Sequence, residues 1–224
     1  YFTGAAYGHI DLDRLIRVLY IRDGQVVFKI SGIHAIENYL ISRYHMYWQV
    51  YYHPVARAYE VNLEKIYQRV KDLLDQNFPF ESNVNALRQV IKDPTDMDSF
   101  LEIDDYYING LIQSFMHSKD DILRNLSADF LNRSIWGYLN HTKENKERIN
   151  EILDAFKPEE RDYYQAFRSV ENSTYKDDDV KYGEEIHVLL ENGETSTLKK
   201  QSQIIESLTK SGTKSDEKFF YRKS

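Results

Sequence analysis

Val55, Tyr59, Leu63, Ile66, Val70 and Leu73 recur at three- and four-residue spacing, which is the period of an amphipathic α-helix lying on a core. Few other backbone forms keep all six on one side. A second such pattern runs just before it. Ser31 and Gly32 open it, and Ile33, Ile36, Tyr39 or Leu40, Arg43, Tyr47 and Tyr51 continue it. Pro54 lies between the two patterns. Proline removes a helical N–H and biases His53 away from helix, so a kink or a fresh helix start is expected there. The second helix should end near Asn77, before Phe78-Pro79.

Other segments follow the same logic. DLDRLI (11–16) reads as a short helix with Asp11 as N-cap. VLYIR and QVVFKI flank Asp23-Gly24, a hairpin signal because both turn positions favour positive φ. Residues 84–92 form a helix stopped by Asp93-Pro94. The stretch 98–132 is helical with a break at His117-Ser118, and 142–156 is a charged amphipathic helix closed by Pro158. Asp104 and Asp105 point about 100° apart on a helix, so they read as helix-start residues rather than paired acids. Residues 171–185, with Asp177, Asp178 and Asp179 in a row, read as a linker. IHVLLENGETSTL then reads as strand, Asn192-Gly193 turn, strand, followed by a helix in QSQIIESLTK and a last strand in KFFYRK. The expected fold is mainly α. It has a β-hairpin near the N-terminus, a helical part over 1–170 and a small α+β subdomain over 186–224.

At 224 residues the chain can bury a core without staples. It has no cysteine, which excludes disulfides and zinc–thiolate sites and fits a reducing cytoplasm. No apolar run is long enough to cross a bilayer. A net charge of −7 argues against duplex nucleic acid as a partner, since that needs a broad basic face. It leaves room for a phosphate pocket made by a few arginines. The chain starts in YFTG without a methionine, and so reads as the middle of a longer polypeptide.

The densest chemistry lies between Arg43 and Arg57. Arg43, Tyr47 and Tyr51 stand at i, i+4 and i+8, on one helical face. A guanidinium is a fork of donors matching phosphate oxygens, and tyrosines one and two turns away can stack on a base or sugar. The same spacing also suits a buried aromatic stripe whose arginine pairs with a carboxylate. The 18 tyrosines suit wet pockets and packed interfaces alike. Asp11, Asp13 and Arg14 fit either a capped first turn with a local ion pair or contact with a nucleotide. His9, His34, His45, His53, His117, His141 and His187 include no HExxH motif and no His-Asp pair. No convergent ligand set is visible, so no metal-binding residue and no catalytic residue is assigned in this chain.

YFTGAAYGHIDLDRLIR and GIHAIENYLISRYHMYWQVYYHPVARAYE closely resemble bacterial HD-domain phosphohydrolases related to the deoxynucleoside triphosphate triphosphohydrolases, including the vertebrate sterile-alpha-motif and HD-domain enzyme. FLEIDDYYINGLIQSF and the strand–helix–strand tail share the likeness. The resemblance implies part of a helical HD core with a C-terminal extension, assembled as a dimer or tetramer. It implies hydrolysis of dNTPs to deoxynucleoside and triphosphate, with a divalent metal such as Mg²⁺ or Mn²⁺ activating water, and a guanine nucleotide as effector. By the same resemblance Arg43 matches an arginine that contacts substrate phosphates, and Tyr51 a tyrosine that packs on the deoxyribose and rejects a 2′-hydroxyl. Tyr47 stands where the vertebrate enzyme has a histidine, and Tyr52 stands near the base. Asp11 and Arg14 match an effector-binding pair, across a one-residue insertion after Gly4. The family's metal ligands are expected upstream of YFTG, so this chain alone should bind no metal and catalyse no hydrolysis. The alternative is a nucleotide-sensing or oligomerisation module without activity of its own.

Overall fold

Two groups of helices, each with its own core, account for most of the computed structural model, which describes residues 10–172, 185–210 and 214–223. The fold is mainly α. Contacts divide the chain into two units, one of residues 1–53 with 169–216, the other of 54–168 with 217–224. The expected linker and its Asp177–Asp179 run fall largely outside the described residues, as does His9.

The first unit opens with α1 (Leu12–Val18), capped by the Asp11 carboxylate on Arg14 N at 2.9 Å. Strands β1 (Leu19–Arg22) and β2 (Gln25–Lys29) form the expected hairpin. Its turn residues Asp23 and Gly24 have φ of 51° and 76°, as a type I′ turn demands. Helix α2 (Ile33–Met46) follows. The tail supplies β5 (His187–Leu189) and β6 (Thr195–Thr197), joined through Gly193 at φ 83°. It closes with α10 (Leu198–Gln201) and α11 (Gln203–Lys210). Here β2 pairs in parallel with β5, giving the sheet order β1-β2-β5-β6. The tail is therefore built into the N-terminal sheet, so the units interleave where the sequence suggested consecutive segments. Hydropathy carries no signal for which edges meet. Ile36 and Leu40 of α2 pack against Val188, Leu198 and Ile205. Inside this core the Ser202 hydroxyl donates to buried Glu37 at 2.5 Å and accepts from Ile205 N at 3.1 Å, which caps α11.

Gly32, just before α2, has Val18 against its backbone. A Cβ there would meet the Val18 side chain at 2.5 Å. Gly32→Ala should therefore destabilise the first unit by about 1–3 kcal/mol through overpacking, seen as a lower urea midpoint. An unchanged midpoint would count against this contact.

The second unit is built on α3 (Pro54–Asp75), which starts at the proline because that ring suits the first helical position. It ends at Asn77, in the left-handed region at φ 56°, with Phe78 N bonded to Leu73 O and Asn77 N to Leu74 O, the paired bonds of a Schellman cap. Next come α4 (Asn85–Lys92), α5 (Met97–Glu102), α6 (Asp105–Phe115) and α7 (Asp121–Leu131). The break at His117-Ser118 is present. A further break at Ile103-Asp104 arises because Asp104 caps α6, accepting from Tyr107 N at 2.7 Å. Then follow β3 (Gly137–Asn140), α8 (Lys146–Ala155), α9 (Pro158–Tyr164), β4 (Gln165–Asn172) and β7 (Lys214–Tyr221). Pro158 opens α9 as well as closing α8, and β7 lies between β3 and β4. Ile66, Val70 and Leu73 of α3 pack with Leu111, Phe115, Leu123 and Leu126.

Candidate functional site

Helix α2 does not run straight into α3. It passes into a π-helical turn, Tyr47–Tyr51, in which Tyr52 N donates to Tyr47 O at 2.7 Å. Pro54 supplies a local reason. It has no N–H for the Val50 carbonyl and its ring crowds that oxygen. Val50 O instead accepts from Tyr52 N and from His53 N. The turn widens by a residue, and such insertions recur at functional sites.

Widening rearranges the rings. In an α-helix Tyr52 would point about 140° away from Tyr47. Here Tyr47 meets both successors, with ring centroids 5.1 Å from Tyr51 and 5.6 Å from Tyr52. The Arg43 guanidinium lies 5.2 Å over the Tyr47 ring, a cation–π contact. A second ladder, Tyr44, Trp48 and Tyr52, stacks edge to face at 6.3 and 5.5 Å. Tyr52 joins the two. Tyr44 and Trp48 were not singled out from the sequence, although their i, i+4 spacing was visible.

The buried-stripe alternative does not describe this face. Arg43 is exposed, Tyr51 is 51% exposed, and Tyr47 and Tyr52 are half-buried. Among the described residues no carboxylate forms an ion pair with Arg43. One guanidinium and three phenol-bearing rings thus share one partly open face. That face can stack a planar ring, donate to hydroxyls and offer a fork to an anion.

Asp11 and Arg14 hold local structural contacts. Asp11 caps α1, and Arg14 Nη2 donates to Ser31 O at 2.9 Å. The histidines are scattered. His34 Nδ1 bonds Glu37 at 2.8 Å, and His141 Nδ1 bonds Glu217 at 2.8 Å. Among the described residues no three His, Cys, Asp or Glu side chains converge as metal ligands. These residues do not fit a divalent ion. No described helix is long and apolar enough to cross a membrane.

In the second unit one half-buried polar cluster holds helices together. Arg69 donates to both Asp120 oxygens, at 3.0 and 2.6 Å, and to Tyr163 Oη at 3.1 Å; that hydroxyl donates to Asp72 at 2.6 Å. Burial alone would raise the Asp120 carboxyl, but the Arg69 guanidinium and Leu123 N–H outweigh it and hold the group below its ordinary value. Lys65 is pushed down by burial and then by nearby Arg168, although its ammonium donates to Asp162 O at 2.6 Å.

Residues 10–77, which contain the whole aromatic face, match the family model described as HD associated region. A phosphohydrolase from Bacteroides thetaiotaomicron superposes with a TM-score of 0.81 at 26% identity, over 98% of this chain and 58% of that one. These findings support the family of HD-domain phosphohydrolases. A hypothetical protein from Aquifex aeolicus superposes on 98% of this chain and 50% of its own, with a TM-score of 0.65 and 27% identity. The uncharacterized protein YwfO of Bacillus subtilis is 36% identical over all of this chain, which covers 53% of it. An uncharacterized protein of Mycoplasma genitalium is 32% identical over 59% of this chain and 34% of its own length. The chain thus spans about half or less of these relatives.

Proposed function

We propose that the Arg43–Tyr52 face is one wall of a nucleotide pocket in a metal-dependent HD-domain phosphohydrolase that converts dNTPs to deoxynucleoside and triphosphate. The observation that carries this reading is the π turn. It brings Tyr52 to Tyr47 and Tyr51 beside an exposed Arg43, where an α-helix would turn Tyr52 away. Arg43 would bind phosphate oxygens, Tyr47 would support the guanidinium, Tyr51 would pack on the deoxyribose and Tyr52 would lie near the base. Asp11 and Arg14 remain the proposed contacts of a guanine-nucleotide effector, and the assembly is proposed as a dimer or tetramer. A divalent metal such as Mg²⁺ or Mn²⁺ would polarise phosphoryl oxygens and activate water in the whole enzyme. Among the described residues no set of side chains converges to hold it.

Tyr51 offers a direct test, since a ring against C2′ leaves no room for a hydroxyl. In the full-length enzyme, Tyr51→Ala should narrow the dNTP over rNTP preference in kcat/KM by about tenfold, or 1.4 kcal/mol. Steady-state triphosphate release from paired dNTPs and rNTPs measures it. An unchanged ratio would remove Tyr51 from sugar selection.

A second reading has its own observation. Leu12, Ile16, Ile21 and Val26 of the first unit are 55–75% exposed, which suits an assembly surface. In that reading the chain senses nucleotides without cleaving them. Calorimetric binding of a guanine nucleotide to this chain, without added metal, would favour it.

A further inference from the structure

Helix α5 in the second unit turns its apolar side outward. Met97, Phe100 and Leu101 are 60%, 54% and 74% exposed, while Ser99 is half-buried and donates its hydroxyl to Asp96 at 3.0 Å. A helix that only covers a core shows the opposite pattern. At the rotation of an α-helix the three apolar side chains fall within one arc of about 100°, so they form a single ridge. Tyr106, in the first turn of α6, is 88% exposed just beyond it in the chain. Apolar side chains grouped outside and rimmed by polar ones mark a contact with another protein.

Charge selects what covers the ridge. Residues 93–105 carry six acids and no Lys, Arg or His. Three of them have local duties: Asp93 accepts from Thr95, Asp96 caps α5 and Asp104 caps α6. Asp98, Glu102 and Asp105 are exposed and form no ion pair among the described residues. By the same helical rotation Asp98 and Glu102 lie along one flank of the ridge, beside Leu101. Glu102 ends α5, where the helix dipole favours a cation. Its charge works against its own helix and gains from an incoming cation. We propose that this ridge docks a basic amphipathic helix of a partner protein. The partner's apolar stripe would lie on Met97, Phe100 and Leu101, with lysines or arginines over Asp98 and Glu102. Side chains spaced i, i+3 and i+4 make the kind of ridge that fits the groove of a second helix.

A fluorescently labelled model helix of leucine and lysine, with its leucines at amphipathic spacing, is the probe, and the same peptide with glutamate for lysine is its control. Anisotropy titrations into this protein should show saturable binding of the lysine peptide, about tenfold tighter than the glutamate peptide. Asp98→Lys with Glu102→Lys should weaken the lysine peptide about tenfold. Glu147→Lys with Glu151→Lys, an equal change of net charge at exposed positions of α8, should leave it unchanged. Phe100→Ser with Leu101→Ser should weaken it about 30-fold, because two apolar contacts are lost. All these positions are exposed, and thermal melts check that the fold persists. If the α5 charge reversal unsettles its own helix, the serine pair decides. Absence of saturable binding, equal affinity for the two peptides, an equal loss from the α8 reversal, or indifference to the serine pair would each overturn the proposal. Self-association that the serine pair abolishes, seen by sedimentation, would give the ridge to a second copy of this chain and overturn it too. None of these outcomes depends on dNTP hydrolysis, so this surface and the nucleotide pocket stand or fall separately.

Discussion

Arg43→Ala in the full-length enzyme should lower kcat/KM for every dNTP by about 10- to 100-fold, because a hydrogen bond to a charged group contributes roughly 1.5–3 kcal/mol. The loss should be general across bases, since phosphates are common to all four substrates. It should not reflect unfolding. Arg43 is exposed, pairs with no carboxylate among the described residues, and contributes only its position over Tyr47, a contact of about 0.5–1 kcal/mol at an exposed site. Arg43→Lys should recover part of the loss, because it keeps the charge and forfeits the bidentate fork. Thermal melts taken beside the kinetics separate the two effects. Wild-type kcat/KM on all four dNTPs in Arg43→Ala would withdraw the phosphate role and leave the aromatic face as an assembly surface.

Arg69→Ala should be the most damaging single change to stability. Both partners of the Arg69–Asp120 pair are largely buried, with side chains 15% and 13% exposed. Removing the guanidinium strands a carboxylate, at a cost of about 3–5 kcal/mol. For a chain of this size that lowers Tm by about 6–20 °C. Replacing both residues by leucine should cost less than removing Arg69 alone, since no charge is then left unpaired. The pH dependence has a definite sign. The folded Asp120 carboxyl lies below its unfolded value, so its contribution is complete above about pH 4, the ordinary aspartate value. It is lost as pH falls through the folded value. Urea unfolding of wild type and Asp120→Asn should therefore differ at pH 7 and converge in strong acid. A constant gap down to pH 2 would refute the assignment.

Some of this was legible in the residues and some was not. Caps and turns were, because their chemistry is local: Asp11, Asp23-Gly24, Pro54 and Asn192-Gly193 stand where the structure uses them. The α3 stripe was legible most fully in its second half. Ile66, Val70 and Leu73 are in the core, Leu63 packs against it and Tyr59 meets Phe130 at 5.9 Å, but the fully buried positions of the first half are Ala58, Val61, Asn62 and Lys65. Asn62 sits against Leu126 O and Phe130 N, and Lys65 donates to Asp162 O. Buried polar residues satisfied by distant partners carry no apolar signal. Strands β3 and β4 were missed because polar side chains such as Asn140 and Arg168 interrupt their alternation, and both depend on β7. At the candidate site, Arg43, Tyr47 and Tyr51 were visible as a helical spacing. The arrival of Tyr52 on the same face was not, because it follows from a change of helical pitch.

The parallel pairing of β2 with β5 also bears on how the chain reaches its native state. Val27 sits opposite His187, so the hairpin leaves the ribosome long before the strand that completes its sheet. Until then β2 keeps an unsatisfied row of backbone donors and acceptors, a template for stray pairing. Closing so long a loop is entropically slow. The second unit's residues 54–168 are nearly all synthesised within that interval and can form contacts first. That sheet would then be completed by the docking of a later-made segment onto one made earlier, and until it docks the early edge is open to pairing with other nascent chains.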